Sequence, residues 1–115
     1  MPTKYVKITP DEEITVVEVN DFRDIQKHVD GFFTSVPVIE DAVIPKNSTV
    51  FVNDEGLLLG LDQNILAERI TGYRGPLVGN VLIAGPVDEY GETLSITREN
   101  VDAIFGFSNL KLVEA

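Results

Sequence analysis

The stretch Thr49-Val50-Phe51-Val52-Asn53-Asp54-Glu55-Gly56-Leu57-Leu58-Leu59-Gly60-Leu61 carries the clearest local signal in the chain. Thr49–Val52 is β-branched and aromatic, the composition of a strand. Asn53-Asp54-Glu55-Gly56 is turn chemistry, and Gly56 suits the left-handed position of a short hairpin loop. Leu57–Leu61 then reads as a second apolar strand. Its leucines read either as a sticky edge for a partner or as ordinary core, and the core is expected, since a sheet of this size needs them. A hairpin at this point makes the sheet antiparallel.

Outward from this hairpin the same steps recur. Tyr5–Ile8 and Ile14–Val19 read as strands joined by Thr9-Pro10-Asp11-Glu12-Glu13, where Pro10 interrupts the ladder and the acids solvate a turn. A helix is predicted over Asp21–Asp30. Asn20 or Asp21 caps it, Asp24 favours the dipole, and Phe22, Ile25 and Val29 share one face. Gly31 is expected just past its end. Phe32–Val38 resumes a strand pattern, with Pro37 marking an edge or an end. Gln63–Ile70 has room for two helical turns, with Asp62 as cap and Gly72 beyond.

Leu77–Ala84 is apolar on both alternating faces, which places it in the middle of the sheet, and Gly85-Pro86 closes it. Asp88-Glu89-Tyr90-Gly91 is a turn and Leu94–Ile96 a brief extended piece. Thr97 caps a last helix, Arg98–Phe105, with Val101, Ile104 and Phe105 on one face and Gly106 as its stop. The tail Leu110–Val113 is apolar enough to dock. The expected fold is α+β in a single domain, residues 1–115. It has a mainly antiparallel sheet, two longer helices packed on one face, and one short helical segment.

Composition excludes more than it identifies. The chain has 115 residues, 43% hydrophobic and 24% charged, which is a globular mixture. Nine basic against nineteen acidic residues leave a net charge of −10, which opposes a nucleic-acid backbone or an anionic membrane as partner. The absence of Cys removes disulfides, thiol catalysis, Cys-ligated zinc and iron–sulfur clusters. A single His, His28, removes any site that needs two imidazoles. No apolar leader precedes the first strand, and no apolar run approaches a membrane span, so a cytoplasmic protein is expected.

The candidate sites are few. Asn53, Asp54 and Glu55 gather oxygens beside Gly56 but lack the twelve-residue ligand spacing of a calcium loop, so no metal is assigned. The acidic pairs Glu12-Glu13, Glu40-Asp41, Asp54-Glu55 and Asp88-Glu89 fall in separate turns and read as solvated loops, not a catalytic pair. Gly72-Tyr73-Arg74-Gly75 has the GxxG spacing of an RNA-binding clamp, yet Pro76 and the net charge make it a loop. Tyr73 and Arg74 are nonetheless the best exposed contacts, since both residue types are enriched where proteins bind one another. His28 lies near a helix C-terminus, where a protonated imidazole gains from the dipole. No phosphate-cradling, dinucleotide or zinc-protease motif occurs, and no catalytic residue or cofactor is assigned.

A further set of residues carries a resemblance. Phe-Phe-Thr-Ser-Val-Pro is followed by Val-Phe-Val-Asn-Asp-Glu-Gly-Leu-Leu-Leu-Gly-Leu-Asp-Gln-Asn and later by Val-Gly-Asn-Val-Leu-Ile-Ala-Gly-Pro. This order resembles domain-of-unknown-function family 3846, from about Val6 to Phe105. The most specific part is Asn53-x-x-Gly56 with Leu-x-Gly-Leu and Asn64. The segment Glu68–Gly75 is less regular than the family pattern. The resemblance implies a bacteriophage, mobile-element or actinobacterial setting and brings no chemistry with it.

The expected function is therefore binding: a non-catalytic accessory protein acting on a host macromolecule, a protein, through Tyr73, Arg74, Asp54 and Glu55. One alternative is sequestration of a small anionic ligand such as a signalling nucleotide, which requires Lys46, Arg69, Arg74 and Arg98 to converge. Another is an acidic DNA mimic, which requires a sustained row of carboxylates. A homo-oligomer is compatible with each.

Overall fold

The computed structural model describes the backbone of residues 3–39 and 42–114 and the side chains of residues 3–39 and 42–108. Its elements are β1 (Thr3–Ile8), β2 (Ile14–Val19), α1 (Phe22–Val29), β3 (Phe33–Val36), β4 (Thr49–Asn53), α2 (Ile65–Thr71), β5 (Val81–Ala84) and α3 (Arg98–Glu114). The strands form one five-stranded sheet in the order β2-β1-β5-β4-β3, antiparallel at each pairing. The α+β class therefore holds. The first hairpin forms as expected, with Ile8 opposite Ile14 and Thr3 opposite Val19. Strand β5 lies at the centre, between β1 and β4.

The central strand β5 is apolar and buried on both faces, so both faces need cover. Tyr5, Phe51, Leu82 and Ala84 point to one face, where Ile25 and Val29 of α1 bury them. Val6, Val50, Val81 and Ile83 point to the other, under Leu66 and Ile70 of α2 and Ile104 of α3. The helices are thus divided between the two faces, where the sequence had placed both longer ones together. The period of two along Val81-Leu82-Ile83-Ala84 dictates this: each residue is fully or almost fully buried, and one layer of helices covers only alternate ones.

Helix ends follow side-chain chemistry with small shifts. Asp21 caps α1 by accepting from the Arg23 N–H at 3.0 Å, and Asp24 accepts from the Asn20 N–H at 2.8 Å. The left-handed residue that ends α1 is Asp30, not Gly31. The cap of α2 is Asn64, not Asp62, and Gly72 takes the left-handed position after it as expected.

Gly106 does not stop the last helix, which runs on to Glu114. With no left-handed turn at that residue it costs about 1 kcal/mol of helix propensity and no more. The docking of Leu110–Val113 concerns side chains outside the described residues, as does the pair Glu40-Asp41. Among the described residues no helix is long and apolar enough to cross a membrane.

The largest departure is at the predicted second hairpin. Strand β4 forms, but its partners are β5 on one side and β3 on the other. No slot is left for a strand from Leu57, and residues 54–60 form a succession of turns. Leu57, Leu58 and Leu59 are 68%, 86% and 59% exposed. The expectation that they fill the core is overturned.

Candidate functional site

Main-chain hydrogen bonds hold the leucine loop in one shape. The Asp54 N–H donates to Phe32 O at 2.8 Å, extending the β3–β4 ladder by one step. Beyond it the Leu59 N–H reaches Glu55 O at 2.9 Å and the Leu61 N–H reaches Gly56 O at 3.1 Å. Gly56 is required for space and not for a left-handed turn: a Cβ there would meet Val78 Cγ2 at 2.6 Å. The left-handed residue of this loop is Gly60, with φ +69°. The loop thus projects three leucines from a firmly seated base.

Asn53 anchors that base from beneath. It is 5% exposed at the end of β4, and its Nδ2 donates to Val29 O at 2.9 Å and Asp30 O at 3.3 Å. These carbonyls belong to the C-terminal end of α1, which lacks intrahelical donors. The Asn53 Oδ1 accepts from the Glu55 N–H at 2.8 Å. The grouping Asn53-Asp54-Glu55, loosely like a calcium loop in sequence, therefore uses its first side chain as a structural strut.

The segment after α2 faces the loop. Asn64 is fully buried: its amide donates to Ile8 O at 2.8 Å and Gly79 O at 2.9 Å, and its Oδ1 accepts from the Ala67 N–H at 3.1 Å. The Glu68 carboxylate accepts from the Leu77 N–H at 3.0 Å. These bonds fix residues 72–79 as an irregular segment running back to β5. The GxxG spacing falls in this loop, which is followed by a strand and not by a second helix. Tyr73 is half-buried and packs against the core, while Arg74 is exposed.

Between loop and segment lies a cleft of about 390 Å³. The sheet contributes Thr34, Val36 and Val52, the loop contributes residues 54–58, and the far side consists of Tyr73 with Pro76, Leu77 and Val78. Of the predicted contacts, Asp54, Glu55 and Tyr73 are brought together here, from positions about twenty residues apart in sequence. Arg74 does not line the cleft. Sequence reasoning set the leucines aside, preferring core over a sticky edge for a partner, and their exposure reverses that preference. The signal was available, since Leu57-Leu58-Leu59 lies between Gly56 and Gly60 with no polar alternation, a pattern that suits a loop as well as a strand.

The remaining candidates do not gather. Arg98 shares a groove with Lys4 and Val101, and its guanidinium lies 4.0 Å from the Asp102 carboxylate. Lys46, Arg69 and Arg74 line neither that groove nor the leucine cleft. The acids of Asp11–Glu13, Asp54–Glu55 and Asp88–Glu89 occupy separate turns. His28 departs from its expected gain at the helix end. Partial burial and the nearby Lys7 ammonium hold its pKa below the ordinary histidine value, outweighing Asp24 and Asp30.

A family model with the description domain of unknown function (DUF3846) matches residues 3–107, nearly the whole chain. Neither curated proteins nor solved structures gave a match.

Proposed function

Because the chain belongs to the DUF3846 family, whose description assigns no chemistry, we propose its function from the surface: it binds another protein and is not a catalyst. The setting is that implied by the family resemblance, a phage or mobile-element accessory protein engaging a host protein in the host cytoplasm. One observation carries the reading. Three consecutive leucines, each more than half exposed, stand on a hydrogen-bonded loop beside an apolar cleft. Exposed runs of this kind are unfavourable in a monomer unless something covers them. Burying each leucine against a partner contributes about 1.5–3 kcal/mol.

The polar groups near the cleft argue against chemistry. Asn53 is committed to the end of α1, and Glu68 to the Leu77 N–H and the Gln63 amide. Among the described residues no group of three metal-ligating side chains occurs. Anion sequestration is not favoured, since among the described residues neither the leucine cleft nor the Arg98 groove gathers Lys46, Arg69, Arg74 and Arg98.

The test is an affinity pulldown from host lysate with wild type, Leu58→Ser, and the double variant Tyr73→Ala with Arg74→Ala. One abundant protein retained by wild type and lost with Leu58→Ser supports the proposal. Retention of the same protein by every variant removes this surface from it. A small anion co-purifying in place of a protein replaces it with sequestration.

A further inference from the structure

The partner's own conformation is constrained by the sheet edge beside the cleft, and the following rests on the protein-binding reading. We infer that β3 accepts an extended, cationic peptide segment as a sixth strand, with alternate side chains entering the cleft. Strand β3 pairs with β4 on one side, and among the described residues no strand pairs with its other side. Its outward N–H and C=O groups therefore form a template for another strand. Sheet edges are ordinarily guarded by charge, proline or cover. Phe33-Thr34-Ser35-Val36 carries no charge and no proline within it, Pro37 standing just past its end, whereas the opposite edge, β2, carries Glu18.

The cleft lies where such a strand would use it. Thr34 and Val36 point to one face and both line the cleft. A strand added about 4.8 Å outward places every second side chain on that same face. There it meets Leu57 and Leu58 of the loop and Tyr73 of the facing segment. Main-chain bonds to β3 would supply affinity, and the cleft would select the alternate side chains.

Charge identifies the class of segment. Asp54 and Glu55 are exposed at the cleft, and no Lys or Arg lines it. The chain as a whole carries −10. A Lys or Arg flanking the apolar positions of the added segment would meet those carboxylates. A second copy of this chain would bring the same acids and the same net charge against themselves, which disfavours self-pairing at this edge.

The test uses the full chain and a displayed library of random peptides about a dozen residues long. The expected pool alternates apolar residues with Lys or Arg. The selected peptide should bind at least tenfold more weakly to Leu58→Ser, and at least tenfold more weakly when every second residue is N-methylated. Its binding should also slow amide exchange at residues 33–36. Peptides that bind with N-methylation harmless and β3 amides unaffected overturn strand addition, while leaving the protein-binding reading intact. An empty pool overturns the inference as well; if the lysate partner is also indifferent to Leu58→Ser, the broader proposal falls with it. Slow exchange at residues 33–36 in the free protein, together with a dimer in solution, would assign the edge to a second copy instead.

Discussion

Two short apolar runs, Leu57-Leu58-Leu59 and Val81-Leu82-Ile83-Ala84, are nearly equal in hydrophobicity and opposite in fate. The second is 0–1% exposed, with sheet partners on both sides and helices on both faces. The first is 59–86% exposed on a loop closed by its own main chain. Burial was decided by which sides of β4 other strands had taken, not by the side chains. Strand β4 had two sides to offer, and β5 and β3 took both. A local apolar run competes for a place, and its neighbours in sequence do not reveal whether the place is free.

This contrast is open to attack by substitution. Leu82→Ala, at a fully buried position under α1, should cost about 2–5 kcal/mol in urea unfolding. A cost below 1 kcal/mol would mean that the centre of the sheet is misplaced. Asn64→Ala removes a buried amide that ties α2 to β1 and to Gly79, and should cost about 1–3 kcal/mol. Its effect sharpens the comparison, because Asn64 helps fix the wall that faces the leucines.

A smaller effect comes from His28. Its folded-state pKa lies below the ordinary 6.5, so the unfolded chain takes up the proton first as pH falls. The associated stability is complete above about 6.5 and is lost as pH drops toward the lowered value. Urea midpoints measured across that window should decline in wild type and decline less in His28→Gln. The smallest effect should be that of Leu58→Ser, within about 0.5 kcal/mol of wild type. A loss comparable to that of Leu82→Ala would show the loop to be core after all.

Legibility divided along the same line. The β1–β2 hairpin, α1, the short α2 with Gly72 at its end, and the central placement of β5 could be read from local pattern, because each depends on neighbours within a few residues. The pairing of β3 with β4 could not. Their partners Phe33 and Asn53 lie twenty residues apart, and nothing in either segment specifies the other. Asp54, Glu55 and Tyr73 were singled out for their chemistry, and the fold then brought them to one cleft. Arg74 was chosen with Tyr73 because both residue types are enriched at interfaces, but Tyr73 packs against the core at the cleft while Arg74 is exposed outside it. The division of helices between the faces was implicit in the two-sided apolar pattern of Leu77–Ala84, which required cover on both faces.

The strand order has a consequence for synthesis. Strands β1 and β4 are joined only through β5, so Val6 and Val50 both wait for Ile83. Until residues 81–84 have left the ribosome, β1 and β4 both lack the strand that pairs with their inner edges, whatever β2 and β3 do on the outer ones. Any product truncated before Val81 would keep those edges open. The full chain closes them by inserting its own fifth strand, which leaves β2 and β3 as the two outer edges of the sheet.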